Sequence, residues 1–487
     1  MSSNLHGRMA KGVMWSLLEK GGQQGISFLV FMVIARLVGP TEYGLANVCF
    51  VIFTVVNLLI LAIVDGIVNL QIEDDDRLST LFWGVMAMGL GLSLLCVVGS
   101  VPLAMAMDEP RLRDLILWFA IIPLLLALAS VPTMILMKEL DFRIYALRSL
   151  TASTIGGAVG IAAAFNGYGA YSLIFQQITL FGVANLVVWV SVKWRPKFSF
   201  SRDLLAITIK PGLKMVGSTF ITVIEREVPR VMIMFLMGPF SLGYYSFVAR
   251  VRYAVQDIIV NPPFAVLYAS LAKLKHDRAG QVAILDVFVM LTGSLIFPAL
   301  TAAAIAAPLY MTLFFGHKWD GVIPLLQVFI LCGAVLPLQA IVREMLRSHN
   351  HLQSFLRLQA VYVATVLIAT AVTLPYGLVP IAVATLVVGV AFLPIYFAAL
   401  QKWEGVSLWP ALIHLWAPLL SSALMAAAIR GYAESPYAAA NPWARLAIAL
   451  ALGGAVYGAA ALMLMRRDIR RILTFIKTRR ANRVQAS

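Results

Sequence analysis

Short turns cut the chain into about fourteen apolar runs, each close to the roughly 20 residues a helix needs to cross about 30 Å of hydrocarbon. A backbone dissolved in lipid must satisfy its N–H and C=O groups internally, which leaves helices and closed barrels. Barrel strands alternate apolar and polar residues over about ten positions, and these runs do not alternate. The expected fold is therefore an all-α integral membrane protein. Composition agrees: 61% of the 487 residues are hydrophobic, only 13% are charged, and mean hydropathy is +0.88. Gly39-Pro40, Asn166-Gly167, Gly238-Pro239 and Pro375-Tyr376-Gly377 read as tight turns between neighbouring spans. No loop is long enough to be a soluble domain. The first run carries Glu19 and Lys20 and lacks a small-residue cleavage site, so it reads as a retained span rather than a leader.

Charge sets orientation. With the N-terminus inside, most of the 38 lysines and arginines fall on the cytoplasmic side. This predicts an even number of spans with both termini cytoplasmic. The formal net charge of +15 is then topogenic rather than a nucleic-acid footprint. The tail RRDIRRILTFIKTRR reads as an amphipathic helix on anionic lipid. Cys49, Cys96 and Cys332 lie in apolar runs without metal-ligand spacing, and His349-Asn350-His351 reads as a loop. No metal site or cofactor is expected. The glycine runs 89–91 and 156–160 point to close helix packing. They do not join a strand to a phosphate-cradling helix, so a nucleotide site is rejected.

The chain contains a repeat. Gly39-Pro40, three residues and Gly44 recur as Gly238-Pro239, three residues and Gly243. Lys11 and Lys210 align at the same offset. The expected organisation is two six-helix lobes around a central cavity plus a C-terminal helix pair. The boundaries are 1–192 for the first lobe, 193–205 for a basic cytoplasmic linker and 206–402 for the second lobe. Accessory spans follow at 403–465 and a basic tail at 466–487. Two-lobe repeats are a recurring plan of secondary transporters, with the substrate between the halves.

VIEREVPRVMIM, residues 223–234, places two acids, two bases and a proline inside an apolar run. A charge at the bilayer centre costs about 2.5–3.5 kcal/mol on insertion scales, so this face should meet protein or water. Arg226 lies 12 residues before Gly238 and Arg250 lies 12 after it. At 1.5 Å per residue both sit about 18 Å from the turn, near mid-membrane. Lys20, Arg226, Arg230, Arg250 and Arg252 form the candidate substrate lining. Arginine suits phosphate or pyrophosphate, because its fork donates two hydrogen bonds at once. The competing reading is structural: ion pairs such as Glu227 with Arg230 that lock helices together. Asp65, Glu225, Glu227, Asp257 and Asp286 are candidates for carrying a coupling ion, H+ or Na+. Pro229 and Asn261-Pro262-Pro263 break their helices' hydrogen-bond ladders.

The sequence resembles the bacterial polysaccharide (O-antigen or exopolysaccharide) flippases. These are lipid-linked oligosaccharide exporters of the multidrug/oligosaccharidyl-lipid/polysaccharide superfamily. The resemblance rests on ARLVGPTEYGLANV, NLQIEDDDRLSTLFW, MKELDFRIYALRSL, GYGAYSLIFQQ, VKWRPKF, LMGPFSLGYYSFVARV and LFFGHKWDGVIPLLQV, in that order over about residues 10–350. It implies movement of a polyprenyl-pyrophosphate-linked oligosaccharide from the cytoplasmic to the periplasmic leaflet of the bacterial inner membrane. The partners it implies are that lipid-linked substrate, membrane lipids, and a polymerase with its export machinery. Members often carry an acid in the seventh span just before the stretch leading to the glycine turn. Here Pro229 holds that place, and no catalytic residue is carried over. A drug/cation antiporter of the same superfamily would favour a net negative lining. A membrane polysaccharide polymerase would expose a large periplasmic loop.

Overall fold

The computed structural model describes residues 2–69, 74–138, 142–199, 201–256, 263–264, 267, 270–271, 274, 277–348 and 351–466. Side chains of residues 2–13, 16–17, 61–69, 142, 202–219, 347–348 and 352 lie outside the description. Asp65's side chain, Asp257, Asn261-Pro262, His349-Asn350 and the tail from Arg467 therefore fall outside the described residues.

Among the described residues the regular structure is helical, and the chain is a multi-pass membrane protein. Eleven segments among the described residues are long and apolar enough to cross a membrane. The helices Ser2–Leu37 and Phe142–Phe165 fall outside that count, and the two runs flanking Gly238 form one segment. Contacts divide the chain into two compact units, Met1–Phe247 and Val248–Ser487.

Unit 1 contains α1 (Ser2–Leu37), α2 (Pro40–Asn69), α3 (Asp75–Ala106), α4 (Arg111–Phe119), α5 (Ile121–Lys138), α6 (Phe142–Phe165), α7 (Ala170–Ser191) and the larger part of α8 (Arg202–Val255). Pro40 opens α2 at a position whose N–H would have no intrahelical partner. Asp74 caps α3, accepting from the Asp76 N–H at 3.2 Å. The apolar course from Arg111 to Lys138 is broken at Ala120. Pro123 cannot donate to the preceding turn, and Ser93 Oγ donates to the Ala120 carbonyl at 2.6 Å. The seventh and eighth runs form one helical course through α8. It turns only at Gly238, where φ is 78° and ψ is −179°.

The faces of α3 show the solvent for which this fold is built. Phe82, Val85, Gly89, Ser93, Cys96 and Ser100 are buried on one stripe. Leu94, Leu95, Val98 and Met105 stand out on another, Val98 72% and Met105 76% exposed. An exposed apolar stripe of this length belongs against lipid.

The basic segment after α7 docks on the start of α3. Trp83 Nε1 donates to the Lys197 carbonyl at 2.9 Å, and the Lys197 N–H donates to Ser79 Oγ at 3.0 Å. Phe198 stacks on Trp83.

Small residues draw α1, α6 and α7 together. A Cβ at Gly157 would collide with Val30. One at Gly160 would lie 2.8 Å from Gln176 Cβ, and one at Gly156 2.9 Å from the Gln176 carbonyl oxygen. Gly89 packs against Ala127, whereas Gly91 meets nothing within 4 Å, so only half of that glycine pair serves helix packing.

Unit 2 contains the end of α8 and α9 (Arg278–Leu291). After a π turn come α10 (Phe297–Ile305), α11 (Ala307–Phe315), α12 (Ile323–Cys332), α13 (Val335–Ser348), α14 (Leu352–Thr373), α15 (Leu378–Glu404), α16 (Trp409–Leu412), α17 (Trp416–Glu434) and α18 (Pro442–Leu464). Asp277 caps α9 through the Gly280 N–H at 2.9 Å. Asn441 caps α18 through the Trp443 N–H at 2.9 Å, with Pro442 at the first helical position. The pair α17 and α18 packs against α10 and α11 around Met425, Ile429, Ala306 and Ala449.

Candidate functional site

The two Gly-Pro turns of the sequence repeat meet within unit 1. A Cβ at Gly44 would overlap the carbonyl oxygen of Pro239, and a Cβ at Gly243 would overlap that of Pro40. The contact is reciprocal: equivalent atoms of the two repeats face each other, and only glycine permits the approach. Phe31, Tyr43 and Phe247 close over it, with Phe31 and Phe247 ring centroids 5.3 Å apart.

Beside this contact, Glu42 ties three helix starts together. Arg111 Nη1 and Nη2 donate to its two carboxylate oxygens at 2.6 and 2.8 Å, a bidentate pair. The Ala170 N–H, at the start of α7, donates to Oε2 at 3.0 Å. Gly169 lies against the same carboxylate with φ at 52°, leaving no room for a side chain. Sequence reasoning missed this latch, because Glu42 and Arg111 looked like ordinary loop-edge charges.

The charged face of α8 resolves residue by residue. Glu227 and Arg230 are 4% and 8% exposed, and Arg230 Nη1 donates to Glu227 Oε2 at 2.9 Å. Pro229 is buried between them, Glu225 is half-buried and Arg226 is exposed. On α1, Lys20 is exposed while Glu19 is buried.

In unit 2, Arg250 is exposed. The Arg252 guanidinium lies 5.0 Å from the Tyr253 ring centre and 5.5 Å from that of Phe329, in cation–π contact with both. It borders a small cleft with Gln256, Leu300, Ile330 and Gly333. Asp286 is half-buried on α9. Of the sequence-derived lining, unit 1 thus holds Lys20, Arg226 and Arg230, and unit 2 holds Arg250 and Arg252.

A further cluster lies at the other end of α1 and α6 from the turns. Tyr145 and Arg148 are three apart on α6 and share a face. The Arg148 Cζ sits 5.2 Å from the Tyr145 ring centre. Arg148 Nε and Nη1 are enclosed and meet no hydrogen-bond acceptor. α6 starts at Phe142, which sets Arg148 nearly two turns inside the helix. Among the described residues, no group of three or more His, Cys, Asp or Glu side chains is arranged to hold a metal ion.

Residues 33–324 match the family model described as "Polysaccharide biosynthesis protein". The chain is 25% identical over 333 residues to the Succinoglycan biosynthesis transport protein ExoT of Rhizobium meliloti, covering 67% of each chain. It is 22% identical over 334 residues to the Lipopolysaccharide biosynthesis protein WzxC of Escherichia coli, covering 68% of each. Its fold resembles that of the solved lipid II flippase MurJ in an inward closed conformation. The TM-score is 0.73 at 15% identity, over 94% of this chain and 100% of that one. An inward-facing multidrug resistance transporter of the MATE family also shares the fold, with a TM-score of 0.61 at 15% identity over 79% of this chain and 96% of that one.

Proposed function

The chain belongs to the polysaccharide biosynthesis protein family, and from that membership we propose that it is a flippase for lipid-linked oligosaccharide. It is a transporter, not an enzyme. The cargo is a polyprenyl-pyrophosphate-linked oligosaccharide, moved from the cytoplasmic to the periplasmic leaflet of a bacterial inner membrane for surface polysaccharide synthesis. Both termini face the cytoplasm, so the Gly44 and Gly243 contact lies on the periplasmic side. The two lobes alternate access to the cargo. Coupling to H+ or Na+ belongs to the same proposal, with Glu225, Glu227 and Asp286 the described acids among its candidate carriers.

The observation that carries the reading is the sign of the charge inside the apolar helices. Lys20, Arg226, Arg230, Arg250 and Arg252 outnumber the acids beside them. A cation in an apolar helix is costly, and a cargo with a diphosphate head gives it a purpose. Arginine's planar fork binds such oxygens two at a time. The sugars cross in water and the polyprenyl tail stays in lipid. A drug/cation antiporter on the same fold calls for the opposite sign.

The test is a deletion strain in which lipid-linked oligosaccharide is located by a non-permeant glycan-cleaving enzyme. Glycan trapped in the cytoplasmic leaflet, restored by wild type and not by Arg226→Ala/Arg250→Ala, is the expected result. Rescue by both would keep the function and reduce those arginines to helix contacts. Normal periplasmic delivery in the deletion would sink the flippase reading.

A further inference from the structure

The register of α1 against α6 is set by three contacts. Gly22 lies against Leu150, Val30 against Gly157 and Ile34 against Gly160. The helices run parallel, and the same register brings Glu19 opposite the turn of α6 that bears Arg148. Glu19 is 7% exposed, and its charge acts on Arg148. It nevertheless does not bond the two enclosed nitrogens of that arginine.

We propose that Arg148, seated on Tyr145 and facing Glu19, is the anchoring point in unit 1 for the diphosphate group of the cargo. The inference rests on the flippase reading above. Three observations converge on it. An enclosed guanidinium nitrogen without an acceptor is costly, about 1–3 kcal/mol or more for a charged group. Two of them stand side by side on Arg148, whereas Arg230 has its acid at 2.9 Å and leaves only Nε unbonded. The Tyr145 ring supports the guanidinium from its face and its side chain bonds it as well, which limits its rotation and leaves Nε and Nη1 for a ligand. Glu19 offsets the charge of the empty site and opposes an over-tight hold on an anion, which a carrier needs in order to release.

The chemistry specified is a phosphoanhydride: several oxygens, more than one negative charge and no need of a metal. The polar half-buried Gln23 and Gln24 continue from Glu19 along α1.

The full chain in lipid nanodiscs is titrated calorimetrically with farnesyl diphosphate, farnesyl monophosphate, inorganic pyrophosphate and farnesol. Wild type should bind the diphosphate more tightly than the monophosphate. Arg148→Gln should weaken farnesyl diphosphate about tenfold or more, the loss of charge-assisted bonds. It should leave farnesol uptake unchanged. Arg148→Lys should fall between, since it keeps the charge and loses the fork. Glu19→Gln should tighten binding. Melting curves taken alongside separate loss of binding from loss of fold. Wild-type affinity in a folded Arg148→Gln protein would overturn the inference, as would an equal loss for farnesol. Inorganic pyrophosphate binding as tightly as farnesyl diphosphate would overturn the lipid-linked assignment. In the deletion strain, export restored by Arg148→Gln sinks this anchoring role alone. Export that never depended on the protein sinks the flippase reading beneath it.

Discussion

The two ends of unit 1 handle polar groups in opposite ways. At the turn end, Glu42 accepts from both Arg111 nitrogens and from the Ala170 N–H. Next to it the Pro40 and Pro239 carbonyls press on Gly243 and Gly44. At the far end, Arg148 is enclosed with two nitrogens unbonded and Glu19 nearby but not joined to it. Bonded polar groups and glycine contacts hold helices in one arrangement. An enclosed donor without an acceptor stabilises nothing by itself, and its value lies in what it can bind. In a protein whose solvent is lipid, this contrast separates architecture from a ligand site better than charge alone.

The comparison can be broken at the turn end first, where the effect should be largest. Gly44→Val forces a side chain into the Pro239 carbonyl, and Gly243→Val does the same at Pro40. Each should lower stability by about 3 kcal/mol, the upper part of the overpacking range. Thermal unfolding in detergent reads this. A change under about 1 kcal/mol would mean that the turns sit farther apart than the structure places them.

Gly238→Ala tests the turn itself. Its φ of 78° with ψ of −179° is a region that essentially only glycine adopts. Substitution should cost about 2 kcal/mol. Gly39→Ala at the repeat-related position should cost under about 0.5 kcal/mol. There φ is not positive and no heavy atom lies within 4 Å of the added carbon. Equal costs would erase the difference between the two turns.

Glu42→Ala removes the acceptor of three hydrogen bonds. Arg111 and Glu42 side chains are 51% and 26% exposed, so solvent screens the pair. The expected loss is about 1–2 kcal/mol. Raising salt should narrow the gap between wild type and variant.

Arg148→Gln should produce the smallest loss in unfolding, none or a gain of up to about 1–3 kcal/mol, because the enclosed nitrogens make no bond to lose and their burial is relieved. A loss above about 2 kcal/mol would make Arg148 a structural residue like Arg230 and erase the contrast between the ends.

Much of the fold was legible in the sequence because the bilayer demands it. Runs of about 20 apolar residues must be helices, and the turns at Gly39-Pro40, Asn166-Gly167 and Gly238-Pro239 lie where the helices reverse. The Glu227 and Arg230 pairing was legible too, since i and i+3 on a helix face each other. The breaks were less legible. The interruption at Ala120 depends on Pro123 and on a hydroxyl reaching from α3, and local apolarity carries no trace of that reach.

Periodicity, length and charge thus determined by themselves that this is a helical membrane protein, where most spans lie, and that cations fall inside its apolar runs. They could not decide which cations are bonded. A hydrogen bond depends on distances of about 3 Å between residues far apart in the chain, such as Glu42 with Arg111 and Ala170. Only the packed helices set those distances. The meeting of Gly44 with Gly243 and the two unbonded nitrogens of Arg148 are likewise products of helix register, which short-range sequence pattern does not encode.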